Sequence, residues 1–245
     1  RAPVVGILCG TLAAWLARKL RRPIDWRASR SESFTSDFQG RDLHVSAALA
    51  LDRSGRFLGL RATLTSNVGA YTVSFVPINK SGELLTSVYR FDTASVRCLA
   101  VLTNTPPTAP YRSAGRPEAM YVVERLIDLA AAAHGFDPIE LRQRNLIDAT
   151  AMPYRTALGL EYDSGDFPQA MHRVLKLADW QGFRARREEA RRRGRCRGIG
   201  FAHYIEITSG NPIEQAEITV RAEGDIRMVI GTTPSGQGHE TSFAQ

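Results

Sequence analysis

Apolar and polar positions along this chain change period several times, and each change marks an element. Residues 3–20 set Leu8, Leu12, Trp15, Leu16 and Leu20 on one helical face, and Arg21-Arg22-Pro23 stops that helix. A short strand is expected at 24–26. Leu43, Val45, Ala47 and Leu49 alternate through 43–51 as a half-buried strand does. Asp52-Arg53-Ser54-Gly55 reads as a turn, and 57–66 as the return strand of a hairpin. Asn67-Val68-Gly69-Ala70-Tyr71 then opens a long irregular segment with Pro77 and Gly82, ahead of a strand at 96–102 and a Pro106-Pro107 loop. The clearest helix starts at Pro117. Proline suits the first helical position, Glu118 complements the positive end of the dipole, and Gly135 follows the last turn. Met120, Val123, Ile127 and Ala130 or Ala131 define its buried stripe.

Asp137-Pro138 starts a second helix running through Asn145, and 146–164 reads as loop. Asp166 caps a helix expected to bury Phe167, Met171, Val174 and Leu175. An arginine-rich helix comes next. Strand candidates follow at 199–207, 216–221 and 226–231, the last two joined by the turn signal Glu223-Gly224-Asp225. Helices and strands in blocks, with hairpins among them, argue an α+β (mixed α/β) fold. The long loop and charged helix resemble a connection between lobes. The expected organisation is a first, partial lobe over 1–150, a connection over 151–195, and the start of a second lobe over 196–245.

Composition narrows the class. With 245 residues, 43% hydrophobic and 23% charged, the chain can bury a core of ordinary globular kind. No apolar run is long enough to span a bilayer. The apolar stretch at 4–16 has basic flanks like a signal peptide, but helical periodicity explains it better, and without an initiating Met no targeting reading rests on Arg1. Cys9, Cys98 and Cys196 form no CxxC or Cys/His spacing. They are expected to be reduced, mostly buried thiols of a cytoplasmic protein, with no protein-ligated zinc or iron–sulfur site. The net charge of +7 is uneven, because Arg184, Arg186, Arg187, Arg191, Arg192, Arg193, Arg195 and Arg197 crowd one stretch. Clustered arginines can bind nucleic acid by releasing counterions from phosphates. No aromatic residue interleaves to stack a base, so a solvated helix with Glu/Arg pairs is preferred and no nucleic-acid partner is expected.

Two short polar segments carry the candidate chemistry. In 110–118, Arg112 and Arg116 flank a Ser113-Ala114-Gly115 bend that offers no bulk. A ligand could approach that backbone between two permanently charged, bidentate guanidinium forks. Equally, Arg116 could pair with an acidic neighbour while Arg112 lies on the surface. The second segment, Gly236-Gln237-Gly238-His239-Glu240-Thr241, follows a strand and opens a helix. Flanking glycines leave the donor and acceptor of Gln237 unobstructed, and Thr241 and Ser242 add hydroxyls near a helix start. Neither Gly-Lys-Ser/Thr nor GxSxG is present, so a phosphate loop and a serine nucleophile elbow are not supported. His239 has no catalytic partner within sequence reach and reads as an orienting group. The chain stops four residues after this segment, and the expectation is a piece of a larger enzyme.

These segments, with Arg22-Pro23, Asn67 to Tyr71, Glu124-Arg125, Asp128, Gly135 to Pro138, Arg144-Asn145, Tyr162 to Asp166 and Arg197 to Gly200, resemble the molybdenum-binding large subunit of the xanthine dehydrogenase/aldehyde oxidase family. The branch holding the aerobic carbon monoxide dehydrogenase large chain is the most similar. The resemblance implies a molybdopterin-binding domain fragment spanning two lobes, and a molybdenum hydroxylase acting on a small molecule with water as oxygen source. The metal is then held by the pterin, as Mo-molybdopterin cytosine dinucleotide in bacterial members, and not by side chains. Electrons leave through an iron–sulfur small subunit and an FAD medium subunit. Carried over, Gly236, Gln237, Gly238, His239 and Thr241 bind the cofactor. Tyr111, Arg112, Ser113, Ala114, Gly115 and Arg116 form the substrate-side loop, with Arg112 nearest the substrate and Arg116 closing the turn.

The chain departs from the family pattern twice. Ser113 stands where carbon monoxide dehydrogenases carry a copper-binding cysteine, and a hydroxyl is a poor ligand for soft copper(I). An aldehyde or N-heterocycle is therefore favoured over carbon monoxide. The family's upstream glycine-rich cofactor motif and its base glutamate are absent, and neither Glu118 nor Glu240 takes that role. The fragment alone is expected to be inactive, and a truncated, non-catalytic family member is the alternative.

Overall fold

The computed structural model describes residues 3–206, 213–232 and 238–245. Two helices precede the first strand, α1 (Pro3–Leu20) and α2 (Arg30–Ser36). α1 ends where expected, yet Leu12, Trp15 and Leu20 on its apolar face are exposed. Residues 24–26 join no ladder among the described residues, so the expected strand does not form. α2 was not expected, although its signal is in the sequence. Ser29 Oγ accepts from Glu32 N at 3.2 Å and Glu32 Oε2 accepts from Ser29 N at 2.7 Å, a reciprocal capping box.

Alternation then carries β1 (Leu43–Leu51) and β2 (Phe57–Gly69) into an antiparallel hairpin with Leu49 opposite Leu60 and Val45 opposite Leu64. Asp52 fixes the turn, its Oδ1 accepting from Ser54 N at 2.8 Å and Arg56 N at 3.0 Å. The chain crosses over through α3 (Val76–Glu83) to β3 (Thr93–Leu102), which lies parallel to β2, giving a mixed sheet in the order β1-β2-β3. α3 replaces the irregular segment expected there. Pro77 lies in its first turn, where a missing N–H costs nothing, and Gly82 faces Cys98 Sγ so closely that a Cβ would come within 2.8 Å. Leu43, Val45, Ala47, Leu60, Ala62, Leu64 and Val96 share the core face of the sheet. α3 packs on β2 and β3 over that face, and the long helix α4 (Arg116–His134) packs on β1 and α3.

α4 buries Met120, Val123, Ile127 and Ala131, the expected stripe, and ends at Gly135 with φ +73°. Asp137 caps α5 (Pro138–Asn145), its Oδ1 accepting from Ile139 N and Glu140 N at 2.7 and 2.9 Å. Residues 146–164 hold more order than a loop, with a 3-10 turn at Ala149–Ala151 and the paired two-residue strands β4 (Tyr154–Arg155) and β5 (Glu161–Tyr162). Burial pushes the Tyr162 phenol up to about 12, and its hydroxyl donates to the Ser87 carbonyl at 2.9 Å. α6 (Phe167–Leu177), capped by Asp166, buries Phe167 and Met171, whereas Val174 is exposed. α7 (Phe183–Arg192) is the arginine-rich helix. Arg184 pairs with Glu188 at 3.4 Å, Arg192 and Arg193 pair with Glu189 at 3.6 and 3.3 Å, and Arg186 pairs with Asp179.

Beneath α4 and α5 lies a buried ionic cluster. Arg142, whose side chain is 1% exposed, donates from Nε to Glu124 Oε2 at 2.8 Å and from Nη2 to Asp128 Oδ1 at 2.8 Å. Tyr89 donates its hydroxyl to Glu124 Oε1 at 2.5 Å. Burial, only partly offset by Arg142, holds the Glu124 carboxyl above the usual range. Burial, reinforced by the Glu124 charge, pushes Tyr89 well up.

The chain divides into two compact units, 2–206 and 207–245. Residues 151–195, expected as a connection, belong to the first unit and supply Tyr162, Phe167 and Met171 to its core. Phe201, His203 and Ile205 lie against that same core. The described part of 199–207 joins no sheet among the described residues. In the second unit β6 (Ala216–Val220) and β7 (Ile226–Ile230) form the expected antiparallel hairpin, followed by one helical turn, α8 (His239–Ser242). Cys98 and Cys196 are exposed, which corrects the expectation of mostly buried thiols. Among the described residues no helix is long and apolar enough to cross a membrane.

Candidate functional site

The loop at 110–116 is delivered by the end of β2 and the segment after β3. Asn67 organises both. Its amide nitrogen donates to Asp42 Oδ2 at 2.8 Å and Thr105 Oγ1 at 2.9 Å, while its Oδ1 accepts from Gly69 N at 2.8 Å and Thr103 Oγ1 at 2.7 Å. Gly69, at φ +78°, must be glycine, because a Cβ would come within 2.4 Å of Pro107 Cα. On the far side Gln39 bridges the strand-like run 107–109, donating to Pro107 O at 3.1 Å and accepting from Ala109 N at 2.9 Å.

The loop itself is a tight double turn, with Ala114 N donating to Tyr111 O at 2.7 Å and Arg116 N donating to Ser113 O at 3.0 Å. Ser113, Ala114 and Gly115 all take positive φ, +66°, +29° and +90°. For Ser113 and Ala114 this left-handed backbone costs about 1–3 kcal/mol each, so the surroundings must over-determine it. They do. Ser81 Oγ donates to the Gly115 carbonyl at 2.7 Å, and a Cβ on Gly115 would fall 1.9 Å from Pro77 O. From outside, Arg41 donates to the Arg112 carbonyl, pairs with Glu118 Oε2 at 3.0 Å, and lies 5.0 Å from the centroid of the Tyr111 ring.

The two arginines of the loop are placed differently. Arg116 is buried, with Nη1 donating to the Ser113 carbonyl at 3.3 Å and Nε lying 2.8 Å from Glu206 Oε1. Arg112 and Tyr111 are exposed, and Ser113 and Ala114 half-buried. The geometry therefore resembles the acidic-neighbour alternative for Arg116, while Arg112 keeps its guanidinium toward solvent. Arg41, Ser81, Asn67 and Glu206 were not singled out as loop supports in the sequence. Only the Asn67-Val68-Gly69 run carried a signal, as part of the family pattern.

In the second unit Gly236 and Gln237 lie outside the described residues. Gly238, at φ +72°, caps α8, and its carbonyl accepts from Thr241 N at 3.0 Å and Ser242 Oγ at 3.1 Å. The His239 ring packs at a tilt against Phe243 at 4.9 Å, and its buried Nδ1 has no hydrogen-bond partner among the described residues. His239 and Glu240, with Ile218, Ile226 and Met228, line an open cleft of about 730 Å³. Among the described residues no group of three or more His, Cys, Asp and Glu side chains could hold a metal ion. An organic group carrying its own metal ligands is compatible with these residues, since His239 offers an unspent polar atom and Gly238 an open backbone.

Two models described as molybdopterin cofactor-binding domain match the chain, at residues 5–146 and 173–245. The carbon monoxide dehydrogenase large chain of Hydrogenophaga pseudoflava is 32% identical over 98% of this chain and 32% of its own length. The 6-hydroxypseudooxynicotine dehydrogenase complex subunit gamma of Paenarthrobacter nicotinovorans is 32% identical over 96% of this chain and 30% of its own. Quinoline 2-oxidoreductase from Pseudomonas putida 86 superposes with a TM-score of 0.85 at 30% identity, over 95% of this chain and 32% of that one. The chain thus spans about a third of the length of the curated relatives it matches. With matching models over both units and that superposition, the chain belongs to the molybdopterin cofactor-binding domains of the xanthine dehydrogenase/carbon monoxide dehydrogenase family.

Proposed function

We propose that this chain is the cofactor- and substrate-facing portion of a molybdenum hydroxylase that oxidatively hydroxylates an aldehyde or N-heterocycle. The observation that carries the reading is the loop at 111–116, a strained turn held open by its neighbours in a chain whose two halves both match cofactor-binding models. When bound, the molybdenum cofactor supplies the oxidising centre, and water the oxygen. Arg112, exposed at the apex, binds a substrate heteroatom or carbonyl oxygen and stabilises the negative charge that develops there. Tyr111 offers an exposed ring beside it for an aromatic substrate. Ser113, Ala114 and Gly115 keep that approach unobstructed, and Arg116 closes the turn. Gly236, Gln237, Gly238, His239 and Thr241 hold the cofactor through backbone approach and polar side-chain contacts.

Ser113 supports a heterocycle or aldehyde over carbon monoxide, because its hydroxyl does not suit copper(I). Relatives named for quinoline and nicotine oxidation support the same substrate class. Partners are an iron–sulfur small subunit and an FAD medium subunit, the cofactor is Mo-molybdopterin cytosine dinucleotide, and the setting is cytoplasmic.

The test is elemental analysis of the native protein, isolated with whatever co-purifies. One molybdenum per chain, a pterin fluorophore after oxidation and turnover of azaheterocycles or aldehydes are expected. In that enzyme Arg112→Ala should lower kcat/KM on the order of 10²-fold or more. Folded protein free of metal and pterin, even when coexpressed with cofactor-maturation factors, would instead identify a non-catalytic relative.

A further inference from the structure

The turn at 111–116 needs a restraint that its own hydrogen bonds do not supply. Ser113 and Ala114 both carry side chains in the left-handed region, and a turn of that kind relaxes unless tertiary contacts hold it. Arg41 and Ser81 hold the two ends of the turn through the Arg112 and Gly115 carbonyls. Its middle carbonyl, that of Ser113, is held by Arg116, whose guanidinium turns inward and is 7% exposed. Its ion-pair partner is Glu206, whose Oε1 lies 2.8 Å from Nε and which is itself 42% exposed.

Glu206 ends a strap, 201–206, whose Phe201 and Ile205 pack on the core of the first unit. Phe201 packs edge-on against Trp180 with ring centroids 6.1 Å apart, and Arg142 lies 5.7 Å from its centroid. His203 packs against Phe167 at 6.2 Å, and its carbonyl accepts from Ser87 Oγ at 3.5 Å. The strap is thus fastened to the ionic core at one end and to the loop at the other. We infer that Glu206 is a positioning residue: acting through Arg116, it locks the Ser113-Ala114-Gly115 turn so that Arg112 alone faces the ligand. The catalytic consequence rests on the reading of this loop as substrate-facing, but the lock does not.

Arg116 is then not the second fork of a ligand clamp. A charged guanidinium spent on an internal carboxylate and a backbone carbonyl fixes geometry, and displacement of a binding group by about 1 Å is enough to cost on the order of 10²-fold in rate.

Hydrogen exchange of the native, cofactor-loaded protein tests the lock, with Glu206→Gln, Glu206→Asp and Arg116→Lys. Glu206→Gln removes the charge without changing volume. It should speed exchange at the 111–116 amides about tenfold or more, with β1–β3 unchanged. Glu206→Asp, which keeps the charge, should restore part of the protection. In turnover, Glu206→Gln should lower kcat about tenfold or more with KM little changed and molybdenum content intact. Unchanged loop exchange in both Glu206→Gln and Arg116→Lys overturns the inference, as does equal loosening of loop and sheet. Loop loosening with kcat and KM both unaltered supports the lock and instead removes the substrate-facing reading.

Discussion

The turn at 113–115 and the turn into α8 both pass through left-handed glycine, Gly115 at φ +90° and Gly238 at φ +72°, but their surroundings are opposite. A Cβ on Gly115 would strike Pro77 O at 1.9 Å, whereas one on Gly238 would meet nothing among the described residues within 4 Å. The first turn has carbonyls held by Arg41, Ser81 and Arg116 within one unit. The second hydrogen-bonds within its own single helical turn and, among the described residues, leaves His239 Nδ1 without a partner. Behind them, β2 is largely buried between β1 and β3, while β6 and β7 form a two-stranded hairpin with Ile218, Val220 and Ile226 exposed. A loop proposed to present one guanidinium at a fixed place is built by packing. A segment proposed to grip a cofactor can keep its polar groups unspent until something meets them.

The largest expected effect lies in the core under the loop. Glu124→Leu leaves Arg142 buried with only the half-exposed Asp128 as ionic partner, and should cost about 3–5 kcal/mol in urea unfolding. A loss below about 1 kcal/mol would mean that the cluster does not hold the first unit together.

Next comes the matched glycine pair. Gly115→Ala should cost about 3 kcal/mol, from strained φ and collision with the α3 backbone, while Gly238→Ala should cost only about 1 kcal/mol, from φ alone. Equal losses in thermal unfolding would erase the contrast between packed and open turns.

Amide exchange sharpens it without mutation. Protection in β2 should exceed that in β6 and β7 by about 10²-fold or more, because an isolated hairpin is marginal in water. Comparable protection in the two would show that the hairpin is held as firmly as the sheet.

The smallest expected effect is on pH dependence. Burial, with the Arg142 charge nearby, holds the His203 imidazole below its ordinary value of 6.5. The unfolded chain therefore takes up that proton first. The contribution of neutral His203 to stability is complete above 6.5 and declines as pH falls from there toward the lowered folded value. His203→Phe, placed among the Phe167 and Phe201 rings, should flatten stability against pH in that window relative to the wild type. Parallel curves would remove His203 from the account.

What could be read along the chain was whatever depends on near neighbours. The β1–β2 hairpin, the α4 stripe through Met120, Val123 and Ile127, the Asp137 and Asp166 caps and the β6–β7 hairpin all follow from spacing or from one capping residue. α3 was missed because Pro77 and Gly82 look like helix breakers until β3 is in place beside them. The strand expected at 199–207 failed for the converse reason, since its apolar alternation serves packing on the core and not a ladder. The Cys98 and Val174 expectations failed because apolar character does not by itself decide which face a neighbour covers.

The two hairpins, the helices from α4 to α7, the two polar segments and the resemblance to a molybdopterin-binding family were legible along the chain, because turn chemistry, capping and motif order are local and survive without coordinates. Which loop arginine is buried and which is exposed follows from the fold alone. Arg41, Ser81 and Glu206 come from distant parts of the chain, and no spacing rule relates them to Arg112 or Arg116. Two arginines that look equivalent in sequence become one buried in an internal ion pair and one exposed, because which of them turns inward depends on where a carboxylate ninety residues later comes to rest.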